Sequence, residues 1–165
     1  MTLSNLVGKS LEKITVDRNT IRRLIASAER NIADSKITNV SAENRFDAAY
    51  KAIMQIANAA LQANGYRTLT SKPGHHQTMI QSLSKTLDID NNTVILLDAM
   101  RKQRNVADYS GDMVPESTVK DCIAQAEKLL KRWLEHPHHN RLRSGLVESA
   151  DAVFISPICP LDSGK

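Results

Sequence analysis

The residues best suited to chemistry lie in the stretch 104–109, which reads RNVADY. Arg104 offers a planar guanidinium that matches phosphate oxygens, and Tyr109 offers a phenol whose ring can stack on a nucleobase. Asn105 adds an amide next to the guanidinium. The pattern therefore indicates a binding site for a phosphate or a nucleotide. The alternative is a solvated helix end, in which Arg104 and Asp108 pair with each other because they lie four residues apart.

Two further groups of side chains are candidates for the same site. Arg101 lies one helical turn before Arg104, so both guanidinium groups could face one anion; the alternative is a solvated surface charge. His75 and His76 begin another predicted helix directly after Gly74. They are candidates for lining a groove, and their alternative is a purely structural role at the start of a helix.

The sequence contains no clear pattern of metal ligands or cofactor-binding residues. Three histidines surround a proline after the last long helical pattern: His136, His138 and His139. Zinc needs about four ligands in tetrahedral geometry, and neither Cys122 nor Cys159 has a second cysteine at a zinc-type spacing. We therefore expect no metal and no cofactor, and we expect these histidines to lie in a solvated tail. A glycine-rich phosphate loop and a nucleophile elbow are also missing from the sequence.

The elements that must position these residues are helices. Apolar side chains recur every three or four residues in five segments, which predicts helices at about 17–34, 41–64, 75–87, 91–109 and 117–135. A weaker pattern over residues 3–14 predicts a further short helix. The alanine-rich segment 41–64 is apolar around much of its circumference, so it belongs at the centre of a bundle. The expected fold is all-α, a bundle of amphipathic helices with no sheet.

Length and charge limit the broad class of protein. The chain has 165 residues, which suits a single domain; we expect residues 1–137 to form it and residues 138–165 to be a poorly ordered tail. Lys and Arg number 22 against 18 Asp and Glu, a net charge of +4 that permits RNA, a nucleotide or an acidic protein as partner. The sequence has no run of about 18 apolar residues, which a membrane helix would need. It also shows no secretion signal and only two cysteines, so we expect a cytoplasmic protein.

Residues 17–135 resemble the HEPN superfamily in the order and spacing of several motifs. RFDAAYKA (residues 45–52) is followed by ALQANGYR (residues 60–67), then by the Gly74-His75-His76 triplet, and finally by Arg104 and Asn105 through Tyr109 before a Gly-Asp turn. The resemblance implies a four- to five-helix up-and-down bundle that often forms a homodimer, and in such dimers the two signature helices line a shared basic groove. Many members of the superfamily are metal-independent endoribonucleases of toxin–antitoxin or phage-defence modules. Others are binding partners of minimal nucleotidyltransferases.

One position departs from the signature of that superfamily. Arg104 matches its arginine and Asn105 matches the polar residue after it, but Tyr109 occupies the position of its histidine. A histidine exchanges protons near neutral pH, whereas a phenol has a reference pKa of about 10 and is a poor general base. The chain therefore keeps the binding half of the signature and lacks the usual acid–base half.

Three functions follow as hypotheses. The first is a toxin-like or defence-type protein that binds RNA or a nucleotide, with Arg104 and Tyr109 in the catalytic positions if it cleaves RNA without a metal. Arg101, Asn105, Asp108, His75 and His76 would then line the binding groove. The second is a non-catalytic partner, either the substrate-binding subunit of a nucleotidyltransferase or an antitoxin. The third is a helical scaffold, since a fold alone does not determine a function.

Overall fold

The computed structural model describes residues 2–143, and these residues are mostly helical. The prediction of a helical chain is thereby confirmed. A 3₁₀ helix at Leu3–Leu6 comes first. The further elements, in chain order, are strand β1 (Leu11–Lys13), helices α1 (Arg18–Ser35) and α2 (Ala42–Ala63), strand β2 (Tyr66–Thr68), and helices α3 (His75–Thr86), α4 (Asn91–Ser110), α5 (Glu116–Glu135) and α6 (Pro137–Arg143).

Helix α2 is the centre of the bundle. It begins after Ser41, whose hydroxyl oxygen accepts a hydrogen bond from the backbone N–H of Asn44 at 3.3 Å. Its alanines, together with Ile53 and Ile56, are buried along most of its length, and it packs against α1, α3, α4 and α5. Small side chains let the neighbouring helices approach closely, which is why this segment can be covered on nearly every side. The prediction that it is central is confirmed.

A two-stranded sheet contradicts the prediction of a sheet-free bundle with a helix over residues 3–14. β1 pairs antiparallel with β2, with Leu11 opposite Thr68. Leu11 is completely buried, while Lys13 is exposed, so exposure increases along the strand from its first residue to its last. Gly65 turns the chain from α2 into β2 with a φ of +80°, a conformation that side chains with a Cβ rarely adopt. Three-residue strands are too short to leave a recognisable period in the sequence.

Helix α4 lies at the edge of the bundle. It is capped by Asp90, whose carboxylate accepts hydrogen bonds from the backbone N–H of Thr93 at 2.9 Å and from its hydroxyl at 2.7 Å. It ends at Gly111, which adopts a φ of +68°. Only Thr93, Leu97 and Met100 are buried along its length. The helix packs mainly on α3 and touches α2 over a short stretch, so one of its faces remains free in the single chain.

The beginning of the predicted tail is helical. Pro137 starts α6 and does not merely end α5. His139 is fully buried and stacks on Trp133 with a centroid distance of 4.1 Å and an angle of 9° between the rings. The expectation of a solvated histidine cluster is therefore wrong for His139, whereas His138 is exposed. Residues 144–165 lie outside the described part of the chain.

Within residues 2–143, none of the helices is both long enough and apolar enough to cross a lipid bilayer.

Candidate functional site

A groove of about 370 Å³ opens where α2, α3 and α4 meet beside α1. Its apolar floor includes Ala48 and Met54. Polar side chains from all four helices line the rest of it: Asn31, Asp47, Tyr50, Lys51, His76 and Arg104. We call this site the Arg104 groove. The bundle places a guanidinium, an imidazole and an ammonium around one space large enough for a small ligand.

The guanidinium of Arg104 is held in place by α2 and by its own helix. Its Nε donates a hydrogen bond to Oδ1 of Asp47 at 3.1 Å, and its Nη2 lies 3.7 Å from Oδ2 of Asp108. The central carbon of the guanidinium lies 5.6 Å from the centroid of the Tyr50 ring, a cation–π contact. About one third of the side chain is still exposed (32%), so Arg104 remains accessible to an anion in the groove.

Tyr50 connects this guanidinium to His76. The tyrosine ring is buried, and its hydroxyl oxygen lies 3.4 Å from Nδ1 of His76. Burial raises the pKa of Tyr50 to about 12, although the positive charges of Arg104 and Arg101 oppose the rise. Tyr50 therefore stays a neutral phenol at all physiological pH values. It can donate its proton to Nδ1 when the imidazole is neutral and protonated on Nε2.

His76 is the one of the two histidines at the start of α3 that lines the Arg104 groove. Its burial is the main factor that lowers its pKa below the usual value, and nearby His75, Arg104 and Arg101 lower it further. The imidazole is therefore neutral at pH 7. His75 packs edge-on against His76, with 4.5 Å between ring centroids, and does not line the groove.

The structure brings some of the predicted site residues together. Arg104 and His76 share the groove, and Asp108 lies beside the guanidinium. Arg101 turns instead toward Asp98, with its Nε donating to Oδ1 at 2.8 Å, and its side chain is largely buried. Arg101 therefore acts on the groove through its charge and not through contact.

Two predicted residues lie elsewhere. Tyr109 is 92% exposed and Asn105 is also exposed, and neither lines the Arg104 groove. Five helical positions separate Tyr109 from Arg104, which places the two side chains roughly 140° apart around the helix axis. A single copy of the chain therefore presents the guanidinium and this phenol on different faces of α4.

The groove also contains four residues that were not predicted as site residues: Asp47, Tyr50 and Lys51, which lie within the RFDAAYKA motif, and Asn31. The first three lie at positions i, i+3 and i+4 of α2, so they share one face of an otherwise apolar helix. That polar stripe was a usable signal for a site. The sequence could not show which helix the stripe would face.

Asn31 contributes a fixed hydrogen-bond acceptor. Its Nδ2 donates to the backbone carbonyl of Ser27 at 3.0 Å and to Oε1 of Gln55 at 2.8 Å. The Nε2 of Gln55 in turn donates to the hydroxyl of Ser27 at 2.8 Å. Both hydrogens of the Asn31 amide are thus in use, and its Oδ1 is the atom that remains for a ligand.

Other chemistry is limited in the described part of the chain. Nowhere in residues 2–143 do three His, Cys, Asp or Glu side chains converge as a metal site requires. Cys122 is fully buried, and burial raises the pKa of its thiol to about 12, so it is unreactive as a nucleophile. Comparisons of the chain with protein-family models, with curated proteins and with solved structures gave no match.

Proposed function

We propose that this chain is a HEPN-like protein that binds RNA or a nucleotide through the Arg104 groove. The observation that carries the proposal is the guanidinium of Arg104, which is oriented by Asp47 and Tyr50 and still reaches the groove. Orientation by neighbouring groups lowers the entropic cost of gripping a phosphate. The volume of the groove also lies in the range of small-molecule sites, about 300–1,000 Å³.

Each groove residue has a role in this proposal. The free edge of the Arg104 guanidinium binds phosphate oxygens and exchanges its long contact with Asp108 for the ligand. Lys51 adds a second positive charge from the exposed side of α2. Asn31 accepts an N–H from the ligand, which suits the amino or imino groups of a nucleobase.

The catalytic form of this function is cleavage of RNA without a metal. The ribose 2′-hydroxyl attacks the phosphate held by Arg104, a new P–O2′ bond forms, and the P–O5′ bond breaks. The resemblance also implies a homodimer; Tyr109 and Asn105 lie outside the Arg104 groove of their own chain, so they belong to the surface between two copies and not to the cleavage step. A prokaryotic toxin–antitoxin or phage-defence module in the cytoplasm is the setting that the resemblance implies.

The test is binding of a fluorescent single-stranded RNA at low salt, measured by anisotropy. We expect Arg104→Ala to weaken binding at least tenfold, because it removes the guanidinium that the phosphate contacts. The matched control is Arg22→Ala, which removes one exposed positive charge from α1 outside the groove and should change the affinity less than twofold. Wild-type protein that binds neither RNA nor a mononucleotide under these conditions would refute the function.

The high exposure of Tyr109 favours a second candidate, a non-catalytic partner of a minimal nucleotidyltransferase or of a toxin. A phenol that is 92% exposed at a helix end is open to the active site of another protein. In this function Tyr109 would accept a nucleotidyl group from a nucleoside triphosphate, with release of pyrophosphate. Intact-mass spectrometry after coexpression with a nucleotidyltransferase encoded nearby would reveal the adduct, and Tyr109→Phe should abolish it. A scaffold without ligands would show neither this adduct nor RNA affinity.

A further inference from the structure

The Arg104 groove contains an imidazole although position 109 does not supply one. His76, in the first turn of α3, lines the groove together with Arg104. Its Nδ1 faces the hydroxyl of Tyr50, and the ring of the same tyrosine packs against the Arg104 guanidinium. The three side chains thus form one continuous row from α4 across α2 to α3.

We propose that His76, and not Tyr109, is the acid–base group of the Arg104 groove, and that it exchanges a proton with a phosphodiester held by Arg104. The proposal rests on the function proposed above. In the tautomer that the proposal requires, Nδ1–H of His76 donates to the hydroxyl oxygen of Tyr50, so Nε2 is the unprotonated nitrogen that meets the ligand. Tyr50 is then a positioning residue, which holds both the imidazole and the guanidinium at a fixed separation.

The charges around His76 determine the direction of the proton exchange. The groups that face it are His75 on its own helix, Tyr50, Asp47 and Lys51 on α2, and Arg101 and Arg104 on α4. Burial and the positive neighbours hold the pKa of His76 below its usual value, which leaves the imidazole free to accept a proton. A bound phosphate brings negative charge to the same place, so it favours the imidazolium.

In RNA cleavage, the proton of the attacking 2′-hydroxyl passes to Nε2 of His76 as the P–O2′ bond forms. The P–O5′ bond breaks, and the departing 5′-oxygen takes a proton from water. The hydroxide left by that water accepts the proton from His76 and restores the neutral imidazole. The products are a 2′,3′-cyclic phosphate and a 5′-hydroxyl, and no metal or oxidant enters the balance.

The experiment measures binding of a 2′-O-methyl RNA hexamer from pH 8 to pH 5. This probe cannot be cleaved, and its internal phosphodiesters do not titrate in that range. Wild-type protein should bind about tenfold more tightly at pH 5 than at pH 8, because a phosphate next to His76 favours proton uptake. His76→Gln should bind with little pH dependence, since glutamine keeps a polar side chain but cannot take up the proton.

His75→Gln is the matched control, because it removes the neighbouring imidazole that lies outside the groove. It should retain the tenfold pH dependence. If His76→Gln keeps that dependence, or if His75→Gln loses it, the role of His76 is refuted while loss of binding in Arg104→Ala would still support the groove. If no variant and no wild-type protein binds the probe or the RNA, the proposed function itself fails.

Cleavage of unmodified RNA gives a second readout. His76→Gln should lower kcat at least a hundredfold with little change in KM, because it removes the base and leaves Arg104 in place. His75→Gln should keep kcat within a fewfold of the wild type. Equal kcat values for the wild type and His76→Gln, or wild-type protein that binds RNA without cleaving it, would refute the catalytic role of His76.

Discussion

Two arginines of the chain show how position determines what a guanidinium does. Arg45 is buried; its Nε donates to the carbonyl of Ser35 at 2.9 Å, and its Nη1 lies 3.0 Å from both carboxylate oxygens of Glu116. It therefore ties the end of α1 and the start of α5 to α2. Arg104 makes a single close ion pair and keeps part of its surface open. The first arginine is structural, and only the second is available to a ligand.

Asp47 gives a prediction at the residue scale, because it both orients Arg104 and repels an anion. Asp47→Asn should keep an oxygen that accepts the hydrogen bond from Nε of Arg104 and remove the negative charge from the groove. We expect RNA binding to tighten about two- to fivefold at low salt, a gain that should shrink as salt screens the charges. Fluorescence anisotropy with the labelled RNA measures it.

The control for this change is Asp112→Asn, which removes one negative charge from the exposed turn after α4. It has no contact with Arg104, so its effect should stay below about 1.5-fold. If Asp47→Asn binds RNA more weakly, the loss of the orienting carboxylate outweighs the removal of its repulsion for the ligand, and the prediction is wrong.

At the scale of elements, α6 closes the end of the bundle with a buried histidine. His139 stacks on Trp133 of α5 and on His136, which lies 4.4 Å away between ring centroids. Neither ring nitrogen of His139 has a hydrogen-bond partner within the described part of the chain. This imidazole therefore stabilises the fold by packing as an apolar ring, and that packing requires the ring to remain neutral.

The pH dependence of stability follows from that burial. Desolvation lowers the pKa of His139 to about 3 in the folded chain, against 6.5 as its ordinary value. Below pH 6.5 the unfolded chain binds a proton that the folded chain does not, so the free energy of unfolding should decrease as the pH falls toward 3. Between pH 7 and pH 5 we expect a loss of about 2 kcal/mol from this group, measured by urea unfolding at each pH.

A substitution at His139 tests whether this residue causes the pH dependence of stability. His139→Phe keeps a ring against Trp133 and removes the titrating nitrogens, so its free energy of unfolding should vary less with pH by about that amount. His75→Gln, which changes a half-buried histidine that shows no stacking on Trp133, should retain the wild-type slope. Equal slopes for His139→Phe and the wild type would show that His139 is not the titrating group.

For the whole molecule, the free face of α4 is the surface that fits the proposed homodimer. Large apolar side chains are exposed along this helix and just after it: Ile95, Leu96, Val106, Tyr109 and Met113. Ile95, Val106 and Tyr109 lie on one side of α4 as an apolar stripe that Lys102 interrupts. An exposed apolar surface typically marks an interaction site, and a two-fold axis is the commonest way for a chain to cover its own stripe. Such a pairing would also place two copies of Tyr109 close to each other's α4.

We expect the wild-type chain to be a dimer at micromolar concentration and Val106→Glu to be a monomer, because a carboxylate in the middle of the stripe would be buried without a partner. Sedimentation velocity distinguishes the two states. Ile37→Glu places the same charge on an exposed apolar residue between α1 and α2, and it should leave the dimer intact. A wild-type monomer at tens of micromolar, or a dimer broken by Ile37→Glu instead, would contradict this interface.

The sequence by itself determined the main helices and the central place of α2. The reason is that helix periodicity, alanine content and caps such as Ser41 and Asp90 are local properties that a single segment carries. It also identified Arg104 and His76 as candidates from their types and neighbours. The sequence did not predict the two short strands or α6, because segments of three to seven residues contain too few repeats to show a periodic pattern.

Only the tertiary structure decided which candidates meet. Asp47 and Tyr50 lie more than fifty residues from Arg104 along the chain, so their contact depends on how α2 packs against α4. The same packing turned Arg101 toward Asp98 and left Tyr109 on the far side of its helix. Residue types and spacing specify the chemistry that a helix can offer, whereas the rotation of each helix in the bundle selects the side chains that share one groove.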